Sequence, residues 1–190
     1  MSDPTAPSLP NLHVADLGPL VVRVSGAEVS LSGPKLKEVF LRLVMTNGES
    51  VSFDTLIADL WPGGDPVRAR RNLQQQVYNL RAALGQDRIE LVGSSYRLRR
   101  ENTERDSVVA DDGYHAARAL TELDPVAARW RVREVLSRFR GPPLAEFASA
   151  DWARAEAAQL DQTHESLRIL DYELRLHAGD DSLIAELKVL

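Results

Sequence analysis

The sequence predicts a mainly α-helical protein with a small β part: an antiparallel sheet, three helices and a hairpin, then an all-helical second half. Three observations carry this expectation. Short β-prone runs, punctuated by Gly, Pro and Ser, occupy only the start of the chain and a segment near residue 90. Helical periodicity fills the interval between them. Beyond residue 107 the chain is alanine-rich and patterned for helices as far as it runs.

Each element has its own justification. "MSDPTAPSLPN", residues 1–11, is polar and proline-rich, lacks the charged-then-apolar order of a signal peptide and reads as a frayed tail. "LHVADLGPLVVRVSGAEVSLSG" is broken at Gly18-Pro19 and Ser25-Gly26, as a small antiparallel meander would be. Pro34 suits the first turn of a helix that Asn47-Gly48 ends, with Leu36, Val39, Phe40, Leu43 and Val44 on one face. "SVSFDTLIADLW" predicts a brief extended piece and a short helix, with Asp54 as N-cap and Leu56, Ile57 and Leu60 inward. "PGGD" at residues 62–65 breaks it. A third helix starts at Asp65 as N-cap and Pro66 as first residue, and Gly85 stops it. "RIELV" and "YRLRR" form a hairpin with its turn near Gly93.

"ENTERDS", residues 101–107, has no packing pattern and is assigned as a linker between residues 12–100 and 108–190. The second half predicts helices over Asp111–Leu123, Pro125–Arg140 and Ser149–Ala178, with a fourth starting at Asp181 or Ser182. Helix pairs recurring at a period of about 34 residues suggest tetratricopeptide-like (TPR-like) stacking. The acid pairs Asp111-Asp112 and Asp180-Asp181 are read as helix-start caps.

Composition narrows the function classes. Hydrophobic content of 44% and charged content of 27% are those of a soluble globular chain. Cysteine is absent, which excludes disulfides and thiolate metal sites and suits a reducing cytoplasm. No apolar run reaches the roughly 18 residues of a membrane span. Net charge is −5, but residues 1–100 hold 12 basic and 10 acidic residues, whereas 101–190 hold 11 and 18. This asymmetry predicts two parts with different partners. The four histidines are scattered without metal-ligand spacing, and no phosphate-binding loop or nucleophile elbow occurs. No cofactor, metal or catalytic site is expected, so the chain does not read as an enzyme.

The third helix, "DPVRARRNLQQQVYNLRAALG", is the informative one. Ala69, Leu73, Val77, Leu80 and Leu84 form its inward stripe. Arg68, Arg71, Gln75, Tyr78, Asn79 and Ala82 lie opposite, with Asn72 and Gln74 on the flanks. A merely solvated face usually mixes charge signs for i,i+4 support, yet residues 66–86 contain no acid. Arginine suits guanine edges, and glutamine or asparagine suits adenine. As third helix of a three-helix unit with a hairpin behind it, this helix occupies the place of a recognition helix with a wing.

"LIADLWPGGDPVRARRNLQQQVYNLRAALG" followed by "YRL" resembles the effector domain of OmpR/PhoB-type winged-helix regulators, with Arg71, Leu73, Val77, Leu80, Arg81 and Leu84 in its frame. That family has a four-stranded N-terminal sheet. Asn79 stands where the family often has arginine, and Ala82 where it often has a basic residue. "VADDGYHAARAL", "RFRGPPLAEF" and "WARAEAAQLDQTHESLRILDYELRLHAGD" resemble the bacterial transcriptional activation domain (BTAD), with Phe139 replacing a common tryptophan. The two together, over residues 12–190, are similar to the Streptomyces antibiotic regulatory protein (SARP) family, whose helical domain continues beyond this length. Residues 108–190 are thus expected to be an incomplete domain.

The resemblance implies a winged helix-turn-helix followed by an all-α TPR-like domain. It implies a cytoplasmic, nucleoid-associated activator that binds double-stranded DNA at promoter direct repeats as a head-to-tail dimer and recruits RNA polymerase holoenzyme, for antibiotic biosynthesis genes. The DNA-contacting set is then Arg68, Arg71, Asn72, Gln75, Tyr78 and Asn79, with Arg81 nearer the phosphates. The hairpin would place Ser94, Ser95, Arg97 or Arg99 at the minor groove, while Tyr96 is either a core residue or part of that edge. Trp61, Gly63, Gly64 and Asp65 are polymerase-contact candidates, although Trp61 is read first as a buried anchor of the second helix. The competing reading is a protein-interaction adaptor whose winged helix has lost DNA binding, which the net acidity and residues 79 and 82 favour.

Overall fold

The structure, a computed structural model, describes residues 9–180. Its contacts divide the chain into two units, each assembled from three separate stretches. The first holds residues 9–14, 21–104 and 147–154, and the second holds 15–20, 105–146 and 155–180.

In the first unit, strands β1 (Leu12–Ala15), β2 (Val21–Val24) and β3 (Ala27–Glu28) form the expected meander. Arg23 faces Glu28 and Val24 faces Ala27 across an antiparallel pair. Ser25 and Gly26, both at positive φ (50° and 84°), make the two-residue turn whose twist matches that of the strands. Helices α1 (Pro34–Val44), α2 (Phe53–Leu60) and α3 (Pro66–Leu84) follow. A second sheet, ordered β4-β6-β5, is made by β4 (Val51–Ser52) and the hairpin β5 (Ile89–Val92) and β6 (Ser95–Leu98). Phe40, Leu43, Leu56, Leu60, Leu73, Leu80 and Leu84 are fully buried and constitute the core of the three helices.

Three expectations fail here. The meander's sheet takes its fourth strand from β7 (Thr103–Arg105), in the order β3-β2-β1-β7. The polar stretch assigned as a linker is therefore an edge strand. Polar and charged side chains are common on sheet edges, which leave one side unpaired. At the other terminus Leu9 is buried, and its carbonyl accepts from Asn102 Nδ2 at 2.8 Å, so the frayed tail cannot extend to residue 11. The cap of α2 is Ser52, whose hydroxyl accepts from Thr55 N–H at 3.0 Å, with Phe53 buried and Ile57 only half-buried. Asp54 is instead an exposed first-turn acid, favourable to the helix dipole.

The second unit is built on α4 (Asp106–Leu120), α5 (Pro125–Leu136) and the length of α6 (Asp151–His177) beyond residue 154. Asp124 caps α5 by accepting from Ala127 N–H at 2.9 Å. Because α4 starts at Asp106, Asp111 and Asp112 are exposed residues of its second turn rather than caps. Gly113 permits the close approach of α4 and α5, since a Cβ there would fall 2.4 Å from Val135 Cγ2. Phe139, at the tryptophan position of the resemblance, stacks on His164 with ring centroids 4.2 Å apart and planes 13° from parallel. On the outer side of α5, Val126 and Trp130 are exposed beside a groove of about 800 Å³. The fourth helix expected from Asp181 or Ser182 lies outside the described residues. Among them, no helix is long and apolar enough to cross a membrane.

Candidate nucleic-acid interface

Helix α3 is held by its sequence-predicted stripe: Ala69, Leu73, Val77, Leu80 and Leu84 are all at most 3% exposed. Asp65 accepts from Arg68 N–H at 2.8 Å and Pro66 needs no donor, so the first turn is satisfied. Of the proposed contacting set, Arg68, Arg71, Gln75 and Tyr78 are exposed, and Asn72 and Asn79 are half-buried at the edges of the same face. Tyr78 is 65% exposed. The helix contains no acid, and no ion pair engages Arg68 or Arg71 among the described residues. Both side chains are exposed. Gln75 Nε2 donates to Asn79 Oδ1 at 3.1 Å.

Arg81 is placed differently from the phosphate contact expected of it. Its Nε and one terminal nitrogen donate to the Ile89 carbonyl at 2.9 and 2.8 Å, and its guanidinium lies 6.0 Å from the Tyr96 ring centre. The side chain clamps the hairpin to α3. Tyr96 is buried against Phe53, with centroids 4.8 Å apart, which decides between its two readings in favour of core. Burial raises its phenol pKa, with Arg81 and Arg70 opposing. Arg70, outside the expected set, lies over the Phe53 ring at 4.8 Å.

The hairpin brings its two arginines to one acid. Arg97 donates to Glu90 Oε2 at 3.0 and 2.5 Å, and Arg99 lies 3.4 Å from the other oxygen of Glu90 and 3.5 Å from Glu101. Both cations are thus partly neutralised. Ser94 is exposed at the tip, whereas Ser95 is half-buried opposite Ser52.

The loop between α2 and α3 borders a shallow groove of about 410 Å³, lined by Ile57, Trp61, Gly63, Gly64, Val67 and Arg70 among others. Trp61 is half-buried, with Lys35 Nζ 5.7 Å from its ring centre. Gly63, Gly64 and Asp65 are exposed, and Asp65 is already engaged as the α3 cap.

Sequence reasoning missed Arg88. It is fully buried and donates to Arg99 O at 3.0 Å, Glu101 O at 2.8 Å, Thr103 Oγ1 at 3.2 Å and also Pro10 O. Burial lowers its pKa, opposed by Glu101. It fixes the base of the hairpin against the segments that lead into β1 and β7. Nothing in "GQDRIE" marks it as different from a surface arginine.

No family model matches the chain. It is 30% identical over 132 residues to the transcriptional regulatory protein MoaR1 of Mycobacterium tuberculosis, covering 60% of this chain and 42% of that protein. It is 29% identical over 182 residues to the regulatory protein AfsR of Streptomyces griseus, covering 90% of this chain and 18% of AfsR. The chain therefore spans less than half the length of the curated relatives it matches. Among solved structures, Mycobacterium tuberculosis EmbR, in complex with a low-affinity phosphopeptide, shares the fold. Its TM-score is 0.75 at 24% identity, over 96% of this chain and 50% of EmbR. The relatives carry the names of regulators, not of enzymes. The chain is thus similar in sequence to two regulatory proteins and shares its fold with EmbR.

Proposed function

We propose that the chain is a sequence-specific activator that lays α3 in the major groove of double-stranded DNA. The observation that carries this reading is the acid-free outer face of α3, on which Arg68 and Arg71 stand unpaired beside an exposed Tyr78. Such a face attracts phosphates at long range and offers base-reading groups at short range. Arg97 and Arg99 enter the minor groove beside it, exchanging Glu90 for the phosphate backbone. Two protomers bind head to tail on promoter direct repeats, in the cytoplasm, and the Trp61–Asp65 loop meets RNA polymerase. The regulated genes are those of antibiotic biosynthesis, as the resemblance of residues 12–190 to the Streptomyces antibiotic regulatory protein family implies.

Selection of bound duplexes from a random pool, followed by titration of a winner across salt concentrations, tests the reading. Tandem repeats spaced by about one helical turn are expected, with affinity falling steeply as salt rises. Arg71→Ala is expected to weaken binding and, if Arg71 holds a phosphate, to reduce the salt slope by about one. A flat salt response without sequence preference would instead establish the adaptor reading, and a palindromic site would overturn the head-to-tail arrangement.

A further inference from the structure

We propose that the Gln75–Asn79 amide pair is a preformed reader of adenine, and that it sets a base preference different from that of an arginine at position 79. The inference rests on the DNA-binding reading above and goes beyond it by naming the base pair. Arg71, Gln75 and Asn79 follow one another at i,i+4 spacing and form a single ridge along the outer side of α3. Within that ridge Gln75 Nε2 donates to Asn79 Oδ1 at 3.1 Å. The bond restrains two side chains that would otherwise sample several rotamers, so part of the ordering cost of recognition is met before DNA arrives.

What the bond leaves over decides the chemistry. The Asn79 amide keeps both N–H groups, and the Gln75 amide keeps its carbonyl oxygen. If the direction of the bond is reversed, Gln75 keeps its N–H groups and Asn79 its oxygen. Either way the pair offers one donor and one acceptor side by side. In the major groove only adenine presents an acceptor, N7, next to a donor, N6–H₂. Guanine presents two acceptors, while cytosine and thymine each present a single polar group. An arginine at position 79, with donors alone, matches guanine. Asn79 is thus no mere loss of charge: it exchanges one base for another.

The test compares selections from a random duplex pool for the wild type and two variants of the full chain. The wild type is expected to recover a site with an A·T pair at one position of each repeat. Asn79→Arg should turn that position to G·C, a gain that an unfolded variant cannot mimic. Gln75→Leu should reduce the adenine preference there about fivefold to a hundredfold, the range spanned by a bidentate base contact. A wild-type site indifferent at the position that Asn79→Arg changes would overturn the proposal, as would an adenine preference untouched by Gln75→Leu. Either result leaves the DNA-binding reading intact. A wild type that enriches no duplex would overturn both.

Discussion

Asp16 is a fully buried carboxyl residue in the five-residue turn after β1. One oxygen accepts from the Ser107 N–H at 2.9 Å. The other accepts from the Ser107 hydroxyl at 2.8 Å and from Arg105 Nε at 2.5 Å. Arg105 in turn donates to Glu156 at 2.7 Å. A buried pair of this kind contributes little net stability against a hydrophobic substitute, but removing one partner strands the other. Asp16→Ala is therefore expected to lower stability by about 3–5 kcal/mol, as read by chemical denaturation. Adding Arg105→Ala should cost less than the sum of the two single changes. Asp16 and Arg88 share a reason for being invisible in the sequence. A buried charge is identified by its partners, and those partners lie about a dozen to ninety residues away along the chain.

The elements of the first unit were legible because their signals are local. Pro34 and Pro66 open helices, Asp65 caps one, and the inward stripe of α3 is buried residue for residue. Gly113 shows where local signals end. In an exposed helix Gly→Ala gains about 1 kcal/mol of propensity. Here the added methyl would meet the Val135 side chain at 2.4 Å in a fully buried position, and overpacking costs about 1–3 kcal/mol. Gly113→Ala is expected to lower the melting temperature, and Gly113→Ala/Val135→Ala to recover part of the loss. Strand β7 was misread because two or three residues of a polar edge carry no periodicity long enough to see. The α2 start was displaced because two candidate caps, Ser52 and Asp54, lie two residues apart and only backbone geometry chooses between them.

At the scale of the molecule, charge placement decides more than net charge. The chain is acidic overall, but its acids avoid α3 entirely, while Glu90 sits between the two arginines of the hairpin. If those arginines serve DNA, Glu90 restrains them. Glu90→Gln is expected to tighten duplex binding severalfold at low salt, with the gain shrinking as ionic strength rises, because exposed charges are screened beyond about 10 Å at 0.1 M salt. Unchanged binding at low salt would remove the hairpin from the interface. The composition of the two units also escaped the linear reading: residues 15–20 belong with the helical unit and 147–154 with the winged-helix unit, so neither is a continuous stretch of sequence. By itself the sequence determined the fold class, the helices with their inward faces, the hairpin and the acid-free side of α3, because periodicity, caps and turns act within a few residues. Only the tertiary structure decided which arginines remain available. Among the described residues no ion pair engages Arg68 or Arg71, whereas Arg81 and Arg88 are spent on backbone carbonyls and Arg97 and Arg99 share an acid. A side chain's charge is written in the sequence, but whether that charge is already satisfied depends on groups that only folding brings within hydrogen-bonding distance.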